Sequence, residues 1–446
     1  MDRKSNLKPS QASHGHIIND TEVQEYLKNC AIPVEGKEIS LDVSLVYDLS
    51  YPSENAIQYI IAIDGARTTI PVKKTFPSSL ITFFQFGSLL LKSSDLETLE
   101  QQPFISPSDI KALKNIGREK FVLPTKNVAL VKEDDLKTSV RKAIQDFFRK
   151  KDPGNTSMLN TLYWFLFELY NHNIDKPVYK LSQCPTCHTT GIELKKDTIN
   201  LNNYSWECIN EKCKSAIYLT DVFRLFEKAD NDSGAEGILS YTSNLVESFL
   251  IIHTIKNILE IEDGFINSFL FIKDGPLSFG GETANMHKPM QAFLNFFQEK
   301  YNVNLIGVET SGAFVDHAKE IKDKLKPGQV LLLSNHHIFS YIQPGKAESN
   351  EYASTSYYGG KFIYKSLDER IYVLTLPVKD HKLFYKRPQI TDLKNIGEIL
   401  LNIDKLKCDI YQNALIPVAL ANKLISLSNS PSSNILEKFA KNSIVR

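Results

Sequence analysis

Apolar residues recur along this chain in two rhythms, and their alternation outlines a mixed fold. Residues 57–73 and 78–92 read as long strands, the second carrying Leu80-Ile81-Thr82-Phe83-Phe84-Gln85-Phe86, and together they predict the start of a meander. Residues 133–149 and 160–170 read as helices, separated by the breaker Asp152-Pro153-Gly154-Asn155. Residues 240–259 form a long helix that is apolar on every side, and such a helix is a buried one. Residues 288–300 are amphipathic, with Phe293, Phe296 and Phe297 on the inner side. Strands are expected at 269–273, 305–309, 330–334, 361–365 and 371–376, with helices at 21–30, 314–325, 390–402 and 414–427. Thr21 is the expected N-cap of the first helix. Strand–helix–strand units beside a meander predict an α/β fold with a mixed sheet.

Two of the apolar strands end alike. Tyr59-Ile60-Ile61-Ala62-Ile63 runs into Asp64-Gly65, and Phe269-Leu270-Phe271-Ile272-Lys273 runs into Asp274-Gly275. The glycine lets the backbone turn away, which leaves a carboxylate at the rim of a sheet. Buried Asp is costly unless paired or metal-bound, and two such tips from distant segments can converge on one divalent cation. A third acid, Glu247, stands alone in the apolar helix, where metal ligation or an ion pair would explain it. Three carboxylates from separate elements suit Mg²⁺ or Mn²⁺, and two such ions can activate water and stabilise the leaving oxygen of a phosphodiester.

The cysteines add a separate site. Cys184-Pro185-Thr186-Cys187 and Cys208-Ile209-Asn210-Glu211-Lys212-Cys213 have the spacing of two thiolate hooks closing a tetrahedral Zn²⁺ site. The short strands around Ile192-Glu193-Leu194 and Tyr204-Ser205-Trp206 complete a ribbon. Four cysteine ligands leave no open position, so this zinc is structural; the ribbon is either a gripping module or a staple for an insertion. His188, next to a ligand, is read as a bystander.

Composition narrows the partners. Lys+Arg and Asp+Glu both total 52 in 446 residues, so no global basic field advertises nucleic acid. The densest basic stretch, residues 111–151, is read as a solvated helix face. No run approaches the apolar length of a membrane span, and the polar start Met1-Asp2-Arg3-Lys4 is not a secretory signal. With clustered rather than paired cysteines, a cytoplasmic location is expected. Lys273 is read as a surface lysine, His336-His337 as a turn or groove pair, since adjacent residues on a strand point opposite ways and do not serve one ion, and Tyr357-Tyr358-Gly359-Gly360-Lys361 as either a stacking and phosphate contact or loop packing. No ATP-binding signature is present.

The residues Ile63-Asp64-Gly65-Ala66, Glu247 and Ile272-Lys273-Asp274-Gly275-Pro276-Leu277 resemble those of the NurA nucleases. Glu309-Thr310-Ser311-Gly312-Ala313-Phe314 and Ile416-Pro417-Val418-Ala419-Leu420-Ala421-Asn422-Lys423 extend the resemblance over roughly residues 50–430. It implies a ribonuclease-H-like core in which Asp64, Glu247 and Asp274 match the metal-binding acids, with Mn²⁺ or Mg²⁺ as cofactor. It also implies DNA as substrate, a HerA-type hexameric ATPase as partner, a homodimer, and a setting in DNA-end processing or defence against phage. The family's terminal Tyr and His fall on Ala414 and Asn422 here, with Tyr411 just upstream. Tyr411 and Asn422 are the expected substitutes. The expected division is a polar segment with a short docking helix (1–35), two parts of a nuclease domain (36–180 and 219–446), and the zinc ribbon inserted at 181–218. A catalytically weakened adaptor that docks DNA or a partner is the competing expectation, and an RNA nuclease on the same core a third.

Overall fold

The computed structural model describes residues 16–30, 36–94, 116–152, 154–343, 351–408, 415–427 and 432–443. The strands are β1 (Val46–Asp48), β2 (Tyr59–Lys73), β3 (Ser79–Lys92), β4 (Ile116–Lys126), β5 (Val178–Gln183), β6 (Thr190–Lys195), β7 (Ser205–Glu207), β8 (Ala216–Tyr218), β9 (Phe269–Asp274), β10 (Asn304–Glu309), β11 (Gln329–Leu332), β12 (Gly359–Lys365) and β13 (Ile371–Pro377). The helices are α1 (Thr21–Lys28), α2 (Leu136–Arg149), α3 (Met158–Leu166), α4 (Leu239–Ile261), α5 (His287–Tyr301), α6 (Ala313–Glu320), α7 (Asn335–Tyr341), α8 (His381–Lys386), α9 (Ile396–Lys405), α10 (Ile416–Ile425) and α11 (Ser432–Ser443).

Nine strands make one mixed sheet in the order β1-β11-β12-β13-β10-β9-β2-β3-β4. The expected pair β2-β3 opens a meander that β4, which was not expected, continues, all antiparallel. β2, β9 and β10 run parallel, as strands joined by long crossovers must; α5 lies in the crossover from β9 to β10. On the far side β13, β12, β11 and β1 pair antiparallel.

Both faces of the sheet are covered, which explains the unbroken apolar run of β9. Ile61, Ile63, Phe84 and Phe86 point into one core with Phe147 and Phe148 of α2, Phe165 of α3 and Phe249 of α4. Ile60, Ala62, Leu270, Ile272, Ile306 and Val308 point into the other, against Phe314 of α6, Ile399 of α9 and Leu420 of α10. α4 is buried along most of its length, as its all-round apolarity requires.

Several elements differ from the sequence-based expectation. Asp20, not Thr21, caps α1, its carboxylate accepting from the Glu22 and Val23 amides, and α1 buries none of its residues. α2 begins three residues later than expected, because Asp135 caps it by accepting from Thr138 N at 2.6 Å. The basic stretch is no single solvated face: its described part runs through β4 and α2, and Arg141 is buried. His336 and His337 are helical, in α7, which Ser334 caps by accepting from His337 N at 3.2 Å. Residues 1–15 of the polar leader lie outside the described residues.

Candidate active site and metal centre

Two hairpins build the cysteine centre. Cys184 follows β5 and Cys187 precedes β6; Cys208 follows β7 and Cys213 precedes β8. The hooks are near copies. The first cysteine of each donates its amide across the turn, Cys184 N to Thr189 O at 2.8 Å and Cys208 N to Ser215 O at 3.0 Å. The residue after the second cysteine takes the left-handed conformation, His188 at φ 59° and Lys214 at φ 46°. A hydroxyl stands beside each second sulfur, Thr189 Oγ1 3.1 Å from Cys187 Sγ and Ser215 Oγ 3.1 Å from Cys213 Sγ. All four Sγ atoms lie within 4.8 Å of one another. Four converging thiols fit a tetrahedral zinc ion. The ribbon has no separate core: Ile192, Leu194, Trp206 and Ile217 merge into the core beneath α3 and α4.

The acid centre forms where β9 ends against the middle of β2; the strand expected to stop at Asp64-Gly65 instead runs on through Gly65 to Lys73 beside β3, and only Gly275 turns the backbone away, at φ 83°. β2 and β9 are adjacent and parallel, with Ile63 opposite Lys273, so Asp64 and Asp274 are lateral neighbours. By alternation, both share the face of Ala62 and Ile272. Asp64 is buried; its Oδ1 accepts from Gly65 N at 2.7 Å, and its Oδ2 has no hydrogen-bond partner. Glu247 arrives from α4 on the opposite face. Gly65 makes room for it, since a methyl group there would stand 2.7 Å from Glu247 Oε1.

Lys273 completes this side. It is 1% exposed, with Nζ 3.4 Å from Glu247 Oε2 and donating to the Asp274 carbonyl at 2.9 Å. The surface lysine expected from sequence is thus an internal cation, because it lies on the inward side of a strand covered by α4. Of the two explanations open for Glu247, an ion pair is present. The three acids do not form a close cage; among the described residues only the four cysteines gather three or more ligand atoms within 4.8 Å.

Their electrostatics are nevertheless shared. Burial pushes Asp64 up to about 7, and the Asp274 carboxylate adds to it, while the Gly65 amide, Asn422 and Lys273 pull the other way. Burial pushes Glu247 up to about 8, Lys273 pulls it down, and Asp64 and Asp274 raise it. Asp274 is raised by burial against the pull of Lys273 and the Gly275 amide. A cluster of hard oxygen donors held partly protonated, with one buried oxygen unpartnered, fits a divalent cation.

Asn422 is exposed on α10, and its side chain acts on Asp64 without forming a well-made hydrogen bond. α10 reaches this position because Gly87, opposite Asp64 on β3, leaves space for Ile425; a methyl group at Gly87 would be 2.6 Å from Ile425 Cγ2. Tyr411 lies outside the described residues. Lys361 is wholly buried, 2.7 Å from Glu309 Oε1 and 3.5 Å from the Phe314 ring centre, so it packs internally instead of reaching a phosphate. His337 pairs with His317, Nε2 to Nε2 at 2.8 Å, inside the protein. No sequence pattern flagged Glu309 or His317 as partners, because each contact joins residues that only the fold brings together.

No family model matches the chain, and no curated protein matches it either. Among solved structures, the chain is similar to the NurA nuclease from Sulfolobus solfataricus at 9% identity and a TM-score of 0.37, covering 98% of this chain and 97% of that one. A crystal structure of NurA matches at 12% identity and a TM-score of 0.30, covering 99% of each chain. A crystal structure of NurA bound to dAMP and manganese matches at 12% identity and a TM-score of 0.30, covering 99% of this chain and 98% of that one. No helix among the described residues is long and apolar enough to cross a membrane.

Proposed function

We propose that this chain is a divalent-metal-dependent DNA nuclease. The observation that carries the reading is the side-by-side placement of Asp64, midway along β2, and Asp274, at the end of the adjacent parallel β9, with Glu247 admitted over Gly65. Asp64, Asp274 and Glu247 are the acids whose combined charge would hold Mn²⁺ or Mg²⁺. When bound, such an ion supplies Lewis acidity toward a phosphodiester and makes water a nucleophile at neutral pH. Buried on apolar strands, Asp64 and Asp274 keep their positions without reorganisation. Asn422, exposed next to Asp64, is placed to orient a phosphate oxygen or a water. Tyr411 is retained as a further candidate on sequence resemblance. The strand order β4-β3-β2-β9-β10, three antiparallel strands followed by two parallel ones, supports a ribonuclease-H-like core. In this reading the zinc ribbon at 181–218 is a structural insertion within the nuclease domain.

The same sequence resemblance supports a cytoplasmic homodimer that receives DNA from a HerA-type hexameric ATPase, in end processing or defence against phage. The test is digestion of single- and double-stranded DNA with Mn²⁺ or Mg²⁺, with and without a HerA-type hexameric ATPase. Wild-type protein is expected to cut, and Asp64→Asn and Asp274→Asn to lose cutting while keeping their fold and partner binding. Asp274→Asn protein cutting as fast as wild type overturns the assignment. A wild-type chain that never cuts but still binds DNA or the ATPase would be the adaptor.

A further inference from the structure

We infer that Lys273 stands in for a second cation, so that the acid centre takes one divalent ion per chain. The inference rests on the nuclease reading and concerns how that site is charged.

Lys273 and Asp274 are successive residues of β9, so their side chains leave opposite faces of the sheet. Asp274 joins Asp64 on the face of Ala62 and Ile272. Neighbouring strands lie about 4.8 Å apart, which sets two lateral carboxylates at a separation one ion can bridge. The unpartnered Oδ2 of Asp64 belongs to this pair. Lys273 instead joins the face of Phe269 and Phe271, beneath α4, where Glu247 is buried.

That arrangement divides the three acids into a pair and a single. Glu247 Oε2 is met by an ammonium at 3.4 Å, and the same ammonium is anchored on the Asp274 carbonyl at 2.9 Å. Lysine is almost never fully buried unless paired, and at 1% exposure Lys273 has no solvent to turn to. Charge balance agrees. Three ionised carboxylates against one ammonium leave two negative charges, which one divalent ion neutralises. A second ion near Glu247 would have to displace the ammonium into an apolar core, at the cost of an unpaired buried charge. Two-ion sites spread positive charge over both sides of a phosphodiester. Here the fixed ammonium supplies the second part of that charge.

The test is Mn²⁺ titration of the full-length, zinc-loaded protein without DNA, with free Mn²⁺ read by electron paramagnetic resonance. Wild-type protein is expected to bind one Mn²⁺ per chain that Asp64→Asn removes. Lys273→Met, which frees Glu247, is expected to bind two. Two Mn²⁺ per wild-type chain, both lost in Asp64→Asn, overturn the inference and leave the nuclease reading standing, as does a folded Lys273→Met protein that still binds one. Mn²⁺ binding indifferent to Asp64→Asn overturns both. Should Lys273→Met fail to fold, the wild-type count decides alone.

Discussion

Arg141 grips Asp221 through two parallel hydrogen bonds, Nε to Oδ1 at 2.8 Å and Nη2 to Oδ2 at 2.7 Å, where α2 meets the last strand of the zinc ribbon. Nη2 also donates to the Ala216 carbonyl of β8 at 2.8 Å, and Asp221 Oδ2 accepts from Tyr218 N at 2.8 Å. Both side chains are buried, and this desolvated ion pair between α2 and the turn after β8 fastens the end of the ribbon through Ala216 and Tyr218.

Removing one partner leaves the other charged and unsatisfied. Asp221→Ala is therefore expected to destabilise the protein by about 3–5 kcal/mol. Replacing both residues by apolar ones of similar volume, Arg141→Met with Asp221→Leu, is expected to cost much less. Chemical denaturation of the three proteins checks this; equal losses for the single and double variants would show that the pair is not the fastening.

The acid centre ties stability to pH. Folded Asp64 and Glu247 hold their protons to about 7 and about 8, whereas an unfolded chain releases both at about 4. The metal-free folded state binds more protons over that interval, so this contribution is complete below about pH 4 and is lost as pH rises through 7 and 8. The buried His317–His337 pair works in the opposite sense, since burial lowers His317 to about 4 and His337 to about 3, and its contribution is lost as pH falls below the ordinary histidine value. Between pH 6.5 and 8.5 the acids dominate. Melting temperature without free divalent ions is expected to fall across this window, and the fall to shrink in Asp64→Asn. Stabilisation by added Mn²⁺ is expected to grow over the same range, because the ion favours the charged carboxylates.

How much of this was legible along the chain depends on the range of each interaction. The cysteine hooks were readable because their spacing is local, and Asp64 and Asp274 because each ends an apolar run at a glycine. Glu247 could be recognised as a buried acid, but not its partner. Lys273 sits in a strand next to an acid, and alternation alone cannot say which face a distant helix will cover. The antiparallel strands β13, β12 and β11 were expected as strands and the three-residue β1 was not, and their order across the sheet is set by pairings between remote segments. The helix at His336-His337 was missed because Leu331-Leu332-Leu333 carry the strand pattern right up to Ser334, and α7 is only two turns long beyond that cap.

The zinc ribbon shares its core with α3 and α4, so loss of the ion should be felt well beyond the hairpins. Cys208→Ser is expected to lose the single equivalent of zinc measured by mass spectrometry of the metal content. Its melting temperature should fall by several degrees, at about 2–4 °C per kcal/mol for domains of 150–250 residues. Retention of one zinc per chain in that variant would show that the four thiols do not bind it together.

Gly65 is the position where backbone and chemistry constrain each other most closely. A methyl group there would lie 2.7 Å from Glu247 Oε1 and 2.8 Å from the Phe86 ring, whose place in the core is fixed by Phe84 and Phe147. Phe86 cannot retreat without disturbing those rings, so Glu247 must. Gly65→Ala is then expected to cost about 1–3 kcal/mol of stability as an overpacking substitution. It should also push the Glu247 carboxylate off Lys273, upsetting the charge balance of the acid centre, so that Mn²⁺ binding changes and DNA cleavage falls by more than the stability loss alone would cause. Ser88→Ala, one residue beyond Gly87 on β3, serves as the control for a general disturbance of the sheet. Thermal melts with Mn²⁺ titration of both variants separate the effects. A Gly65→Ala protein that melts lower yet binds Mn²⁺ and cuts DNA like wild type would mean that Glu247 has room to move and that the gap over Gly65 serves packing only.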